Sequence, residues 1–292
     1  MEFAVPYIMP VPFEHPRLTK AGVELAIKYL DQAHPSISGN KFFKLKYNLQ
    51  AARVQGHTRL LSFGGAFSNH IYALAHAAEA YGFEAIGIIR GERSEPLNPT
   101  LQVAEQKGMK LHFVSREAYR KKTEEDFIRN LQQDWGDFYL IPEGGSNAFA
   151  VKGCAEILSP EDNAYDFALV ACGTGGTVAG LINTPNRKSK ILGIPVLKGG
   201  FIKEAIQPYL LPDVSHYDII EGYHGGGYAK VSLELLAGIK EMDALGLRLD
   251  PVYTAKAFFA LLDLAEKGYF PRGSKILFIH TGGLQGRAGF GI

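Results

Sequence analysis

Short apolar runs of strand length alternate with longer segments of helical period through most of the chain, and that alternation confines it to βαβ units and a parallel sheet. Arg59-Leu60-Leu61-Ser62-Phe63 reads as a strand, after which Ile71, Leu74, Ala75 and Ala78 recur at helical spacing until Gly82 closes the helix. A strand over 84–90, a helix over 99–107, a strand over 110–114, one charged helix over 116–133 and a strand over 137–141 complete a small α/β block. The second half repeats the pattern with strands at 166–171, 190–194 and near 217–220, helices at 231–245 and 253–267, and a last strand at 275–280. The expected fold class is α/β with parallel-rich sheets and helices on both faces. At 292 residues two domains fit, one formed by 1–57 plus 143–292 and a smaller one by 58–142. With no low-complexity linker, they should pack closely around a cleft.

Charge narrows the partners. Lys and Arg total 31 against 30 acidic residues, a net of +1, so neither nucleic acid nor an anionic membrane is expected. No apolar run approaches the roughly 18–20 residues that span a bilayer. The opening Met1-Glu2-Phe3-Ala4-Val5-Pro6 lacks a basic stretch leading into an apolar one, so a cytoplasmic protein is expected. The two cysteines, Cys154 and Cys172, sit in apolar surroundings and read as reduced core residues; no metal site is expected.

Glycine clusters mark the candidate chemistry. Gly173-Thr174-Gly175-Gly176-Thr177 lies directly after an apolar strand and directly before a helix, where backbone N–H groups converge on an anion. No Gly-Lys-Ser/Thr follows, Val178 stands where a dinucleotide loop has its third glycine, and no acidic residue occurs between Phe167 and Lys203 to hold a ribose. A small phosphate is favoured over a nucleotide; a turn that needs glycine only for its backbone is the competing reading. In Gly39-Asn40-Lys41, Asn40 is placed to cap a helix whose inner face is Phe42, Leu45, Leu49 and Ala52. Lys41 then opposes the helix dipole, a local conflict that lowers an amine's pKa in the way Schiff-base chemistry requires; a solvated surface lysine is the alternative.

Gly64-Gly65-Ala66-Phe67-Ser68-Asn69-His70 forms another strand-to-helix junction, where Ser68 and Asn69 serve either as caps or as donors to a carboxylate or phenolate, with His70 one step inside. Asp250 reads as a helix cap with Pro251 at the first helical position, ahead of Tyr253 and Thr254. His280-Thr281-Gly282-Gly283 closes the last strand, and Tyr228 follows Gly225-Gly226-Gly227, with a packed core tyrosine as its plain reading.

In this order the clusters resemble pyridoxal-phosphate enzymes of the tryptophan-synthase-β fold type, and within them the aminocyclopropane-carboxylate deaminase / D-cysteine desulfhydrase family. The resemblance covers Gly39 to Gly283. It implies pyridoxal 5'-phosphate as cofactor, Lys41 as the lysine that binds it covalently and Lys44 as a second lysine of the same helix. It implies a phosphate loop at Gly173, Thr174, Gly175, Gly176 and Thr177, and Asn69 at the ring hydroxyl. Ser68, His70, Thr281 and Gly282 are then placed beside the substrate, and Tyr228 and Tyr253 are active-site tyrosines. A small amino-acid substrate and a homodimer follow as expectations.

Two positions separate the branches. The deaminase branch has Glu after its tyrosine and Leu in its final His-Leu-Gly-Gly, whereas Thr254 and Thr281 stand here, as in the desulfhydrase branch. A carboxylate would hold the pyridine nitrogen protonated, while a threonine hydroxyl can donate to a neutral ring, so Thr254 is expected at that nitrogen and β-elimination is favoured over cyclopropane opening. The chain departs from the family at Tyr29-Leu30-Asp31, where Arg-Glu/Asp-Asp is usual, and in a shorter stretch ahead of Asp250. A phosphate-ligand-binding module without catalysis would use residues 173–177 and have no need of Lys41.

Overall fold

Hydrogen bonding sorts the strands into two sheets in a computed structural model that describes residues 5–37, 39–227 and 229–292. The strands are β1 (Val11–Pro12), β2 (Glu24–Tyr29), β3 (Arg59–Gly64), β4 (Glu84–Arg90), β5 (Lys110–Val114), β6 (Tyr139–Ile141), β7 (Phe167–Cys172), β8 (Lys190–Pro195), β9 (Tyr217–Ile219) and β10 (Lys275–His280). One sheet has the order β1-β2-β10-β7-β8-β9 and the other β5-β4-β3-β6; every pairing is parallel except β1 with β2. Continuous apolar runs such as Ala168-Leu169-Val170 suit strands covered on both faces, which parallel sheets require. Their shared direction carries the C-terminal ends of β3 and β6 in one sheet, and of β7 and β10 in the other, to the walls of one cavity, the usual ligand position in open α/β sheets.

The sheets share a core. A single cluster of buried side chains runs from Leu60 of β3 through Leu45, Leu74 and Cys154 to Ile191 of β8. The helix Asn40–Val54 is its axis, with Phe42, Leu45, Leu49 and Ala52 all at most 2% exposed. Against it packs the helix Ala148–Cys154, and against that the helix Gly176–Ile182. Glycine permits both approaches: a Cβ on Gly153 would lie 1.9 Å from Phe43 O, and one on Gly180 would lie 2.3 Å from Cys154 Cβ. The ion pair of Lys28 in β2 with Asp162, at 2.5 Å and almost wholly buried, ties the first sheet to the turn before β7.

Local expectations change at four places. The charged segment 116–133 is two helices, Arg116–Arg120 and Glu125–Trp135, and around the break between them Glu143 accepts from Tyr119 OH at 2.7 Å and pairs with Lys122 at 3.4 Å. Asn40 is the first helical residue; Gly39, at φ +60°, is the cap, and Asn40 N donates to Thr281 O. The helix after Asp250 is Thr254–Glu266, and Pro251 lies in a preceding turn because the Asp250 carboxylate gathers the N–H groups of Val252, Tyr253 and Thr254. Finally β2, the helix Pro16–Ala21 and the helix Ala148–Cys154 are elements that apolar periodicity did not single out.

Gly153→Ala is expected to lower unfolding stability by about 3 kcal/mol, since the new methyl meets a backbone carbonyl that cannot turn away. Denaturant titration measures this; a change under about 0.5 kcal/mol would contradict the packing.

Candidate active site

The walls of the cavity, about 270 Å³ in volume, are turns that follow strands and the first turns of the helix Asn40–Val54. After β3 the chain turns through Gly65 to Ser68, which caps the helix Asn69–Tyr81 by accepting from Ile71 N at 3.3 Å. That acceptor role leaves the Ser68 hydroxyl proton free for a ligand. Asn69 Oδ1 accepts from Gln285 Nε2 at 2.5 Å, which leaves the Asn69 amide N–H groups as donors at the cavity. Ser62 gives its one proton to Ile141 O at 2.8 Å and therefore accepts from His70 Nε2 at 2.8 Å, fixing the tautomer in which His70 Nδ1 is bare. Burial, and then the charges of Lys41 and Lys44, push the His70 pKa down, and its Nδ1 is a buried atom without a hydrogen-bond partner.

Two amines occupy the opposite wall. Lys41 Nζ donates to Asn40 Oδ1 at 2.9 Å, and Asn40 Nδ2 donates to Thr177 Oγ1 at 2.8 Å, so the helix start and the glycine loop are joined through Asn40. Lys41 lines the cavity, and burial lowers its pKa to about 8. Lys44, 2% exposed, donates to Gly144 O at 2.5 Å and Ser146 Oγ at 2.8 Å, both neutral acceptors. Burial, and then the charge of Lys41, lowers its pKa to about 7. Neither amine has a carboxylate in ion-pair reach among the described residues.

Between them lies the loop 173–177, with Gly175 at φ +84°. A Cβ on Gly176 would stand 2.8 Å from Ser146 Oγ and 3.1 Å from Lys44 Cε, and one on Gly173 would stand 3.0 Å from the Tyr253 ring. The loop is thus a cradle that only glycine leaves open, beside buried amines that lack a counter-charge, and an anionic phosphate fits both features.

Lys41, Lys44, Ser68, Asn69, His70, the five residues of the loop, Tyr253 and Thr281 all line this cavity. Thr254 does not. It is fully buried, its hydroxyl donating to Asp250 Oδ1 at 2.8 Å and accepting from Asp250 N at 2.7 Å, so the hydroxyl expected at a pyridine nitrogen is spent inside the protein. Gly282 lies behind the wall, packed beside Gly39. Tyr228 falls outside the described residues. Glu143, Gly144, Ser146 and Arg90 belong to the neighbourhood of the site and were missed. The signal for the first three was present: Glu143-Gly144-Gly145-Ser146-Asn147 is one more glycine turn between a strand and a capped helix. Both cysteine thiols are buried, and burial raises their pKa, that of Cys154 to about 11, which keeps them protonated.

Strand ends that converge on a glycine cradle and two buried lysines define an α/β enzyme with an anionic cofactor. The model of the pyridoxal-phosphate dependent enzyme family matches residues 6–282, and the chain belongs to that family. A Pyrococcus horikoshii protein, named as a candidate 1-aminocyclopropane-1-carboxylate deaminase, is 31% identical over 98% of this chain and 93% of its own length. The Arabidopsis thaliana bifunctional D-cysteine desulfhydrase/1-aminocyclopropane-1-carboxylate deaminase, mitochondrial, is 31% identical over 91% of this chain and 73% of its own. A solved structure described as an ACC deaminase homologue superposes with a TM-score of 0.85 at 29% identity, covering 99% of this chain and 93% of that one. The fold is that of these enzymes, and pyridoxal phosphate is the cofactor. Among the described residues no helix is long and apolar enough to cross a membrane.

The lysine pKa values set a pH dependence for the cofactor-free protein. An unfolded lysine titrates near 10.5, so between about 7 and 10 the unfolded state binds more protons and stability rises with pH. From pH 7 to 9 the cofactor-free protein is expected to gain about 2 kcal/mol relative to Lys44→Met, measured by denaturant titration. An equal pH response in both proteins would contradict the burial of that charge.

Proposed function

We propose that the protein is a lyase of small amino acids that acts by β-elimination on D-cysteine or a close relative, giving pyruvate, ammonia and sulfide with uptake of one water. The observation that supports the choice of reaction is Thr281, which lines the cavity where the deaminase branch has leucine; Thr254, buried against Asp250 behind the cavity, stands in the sequence where that branch has a carboxylate. Pyridoxal phosphate, when bound, draws electrons from the substrate's α-carbon, and its pull grows as its ring nitrogen is protonated. Thr254 offers no carboxylate to enforce that protonation, and the Asp250 carboxylate is already occupied by three backbone N–H groups and the Thr254 hydroxyl. Elimination of a good leaving group needs less pull than opening a cyclopropane.

The chain's own residues then take these roles. Lys41 would carry the cofactor and would take the proton from the substrate's α-carbon; burial lowers its pKa to about 8, which leaves a fraction neutral near neutral pH. The loop 173–177 and Lys44 would hold the phosphate. Ser68 and Asn69 donate to the substrate carboxylate or the ring hydroxyl, while His70, bare at Nδ1, accepts a proton from a ligand donor. Tyr253, which lines the cavity, and Tyr228 would flank the cofactor ring or relay protons. The smaller unit, 58–142, carries Ser68 and Asn69, and 1–57 plus 143–292 carries the lysines and the loop, so closure of the cleft would bring the two halves of the site together. A homodimer in the cytoplasm completes the reading, in keeping with two buried free thiols.

Opening of 1-aminocyclopropane-1-carboxylate is the second reading, favoured by the name of the Pyrococcus horikoshii relative. Purified holoenzyme is expected to release pyruvate from D-cysteine with a kcat/KM at least about a hundredfold above that for release of the four-carbon 2-oxo acid from the cyclopropane. The reverse order would overturn the elimination reading. Lys41→Ala should lower turnover at least about a thousandfold. After borohydride reduction, peptide mapping should recover the cofactor on Lys41; recovery on Lys44 would reassign the site.

A further inference from the structure

Beside the inner cavity lies a larger chamber of about 700 Å³ that shares Gly65, Asn69, Arg90, Glu143 and Tyr253 with it, so the two adjoin. A three-carbon neutral amino acid leaves such a space unused; chambers of about 300–1,000 Å³ hold ligands of drug size.

The walls carry a charge pattern. Arg90, Arg116, Arg120 and Lys122 line the chamber together with the acids Glu143 and Asp250. Both acids are already engaged, Glu143 by Lys122 and Tyr119, and Asp250 by its own helix start. The guanidiniums of Arg90, Arg116 and Arg120 have no carboxylate within ion-pair reach among the described residues, and these three are the arginines that line the chamber. Arg116 and Arg120 lie one turn apart on a five-residue helix and so share a face. Arg90 packs over the Tyr119 ring at 5.7 Å, and its Nη2 lies 3.5 Å from where a Cβ on Gly65 would stand, at the junction of the two spaces. Unpaired guanidiniums on a concave wall concentrate anions and grip planar or tetrahedral oxyanions through paired N–H groups.

We propose that the outer chamber is a side-chain subsite that selects amino acids bearing a second negative charge, a phosphate, sulfonate or carboxylate, through Arg90, Arg116 and Arg120. The proposal rests on the reading of the inner cavity as an amino-acid elimination site. With a phosphate or sulfonate on the β-carbon, the α-proton passes to the Lys41 amine and the bond from Cβ to the substituent breaks, the substituent leaving with its electron pair as phosphate or sulfite. One water then completes pyruvate and ammonia. The guanidiniums stabilise the charge gathering on the leaving group. A side-chain carboxylate is anchored without being expelled.

The test compares holoenzyme with Arg116→Gln/Arg120→Gln, using both enantiomers of O-phosphoserine and, as a neutral partner, β-chloroalanine. The expected result is that the ratio of kcat/KM for O-phosphoserine to that for β-chloroalanine falls at least about tenfold in the double variant, mostly through KM, and that Arg116→Lys/Arg120→Lys restores part of it. An unchanged ratio would overturn the subsite. Calorimetric titration of O-phosphoserine against serine separates the two levels of the argument. If no β-substituted amino acid is turned over, the elimination reading fails; the subsite then stands if wild type alone binds O-phosphoserine more tightly than serine, and falls if both proteins bind the two equally.

Discussion

Two lysine amines are buried one helical turn apart with no carboxylate in ion-pair reach among the described residues, and the rest of the site is arranged around that imbalance. Taking one charge from water costs several kcal/mol, and a second like charge nearby adds to the cost. The protein satisfies the geometry of Lys44 with Gly144 O and Ser146 Oγ, and that of Lys41 with Asn40 Oδ1, but neutral acceptors supply hydrogen bonds without cancelling charge. The remaining demand is for an anion. A cofactor phosphate in the adjoining glycine cradle meets it, so cofactor capture and folding stability are parts of one electrostatic balance.

The parallel sheets make this affordable by position. Because β3, β6, β7 and β10 run so that their C-terminal ends reach one cavity, the turns that follow them contribute donors from widely separated parts of the sequence. Glycine at 173, 175 and 176 keeps backbone N–H groups accessible where any Cβ would strike Tyr253, Ile206, Ser146 or Lys44. Behind the cradle, Gly153 and Gly180 let three helices approach closely enough to bury the lysine stems. The same economy holds at Asn40, whose side chain bridges the lysine helix and the loop through Thr177.

What could be read in the sequence was what is locally determined. The strands at 84–90 and 275–280 have the bounds their apolar runs suggested, since a strand covered on both faces declares itself without reference to partners, and the half-buried edge strand at 110–114 also has its expected bounds. β2 escaped notice because Lys28 interrupts its apolar run, and the Asp162 that permits this burial is 134 residues away. The break in the 116–133 segment likewise has its partner, Glu143, on another element. At the site, glycine clusters were legible because each is a local turn signal. The engagement of Thr254 by Asp250 was not, because a hydroxyl four residues into a turn can face inward or outward with the same sequence. The unpaired arginines of the outer chamber are equally silent in sequence, where charges do not show their partners.

The most direct test of the charge balance is the ³¹P resonance of the bound cofactor followed from pH 5 to 8. A free phosphate monoester titrates near pH about 6. If the phosphate sits in the 173–177 cradle beside charged Lys44, the wild-type resonance stays at the dianion position across this range, and in Lys44→Met it moves with pH. A wild-type resonance that titrates as the free monoester does would contradict the account.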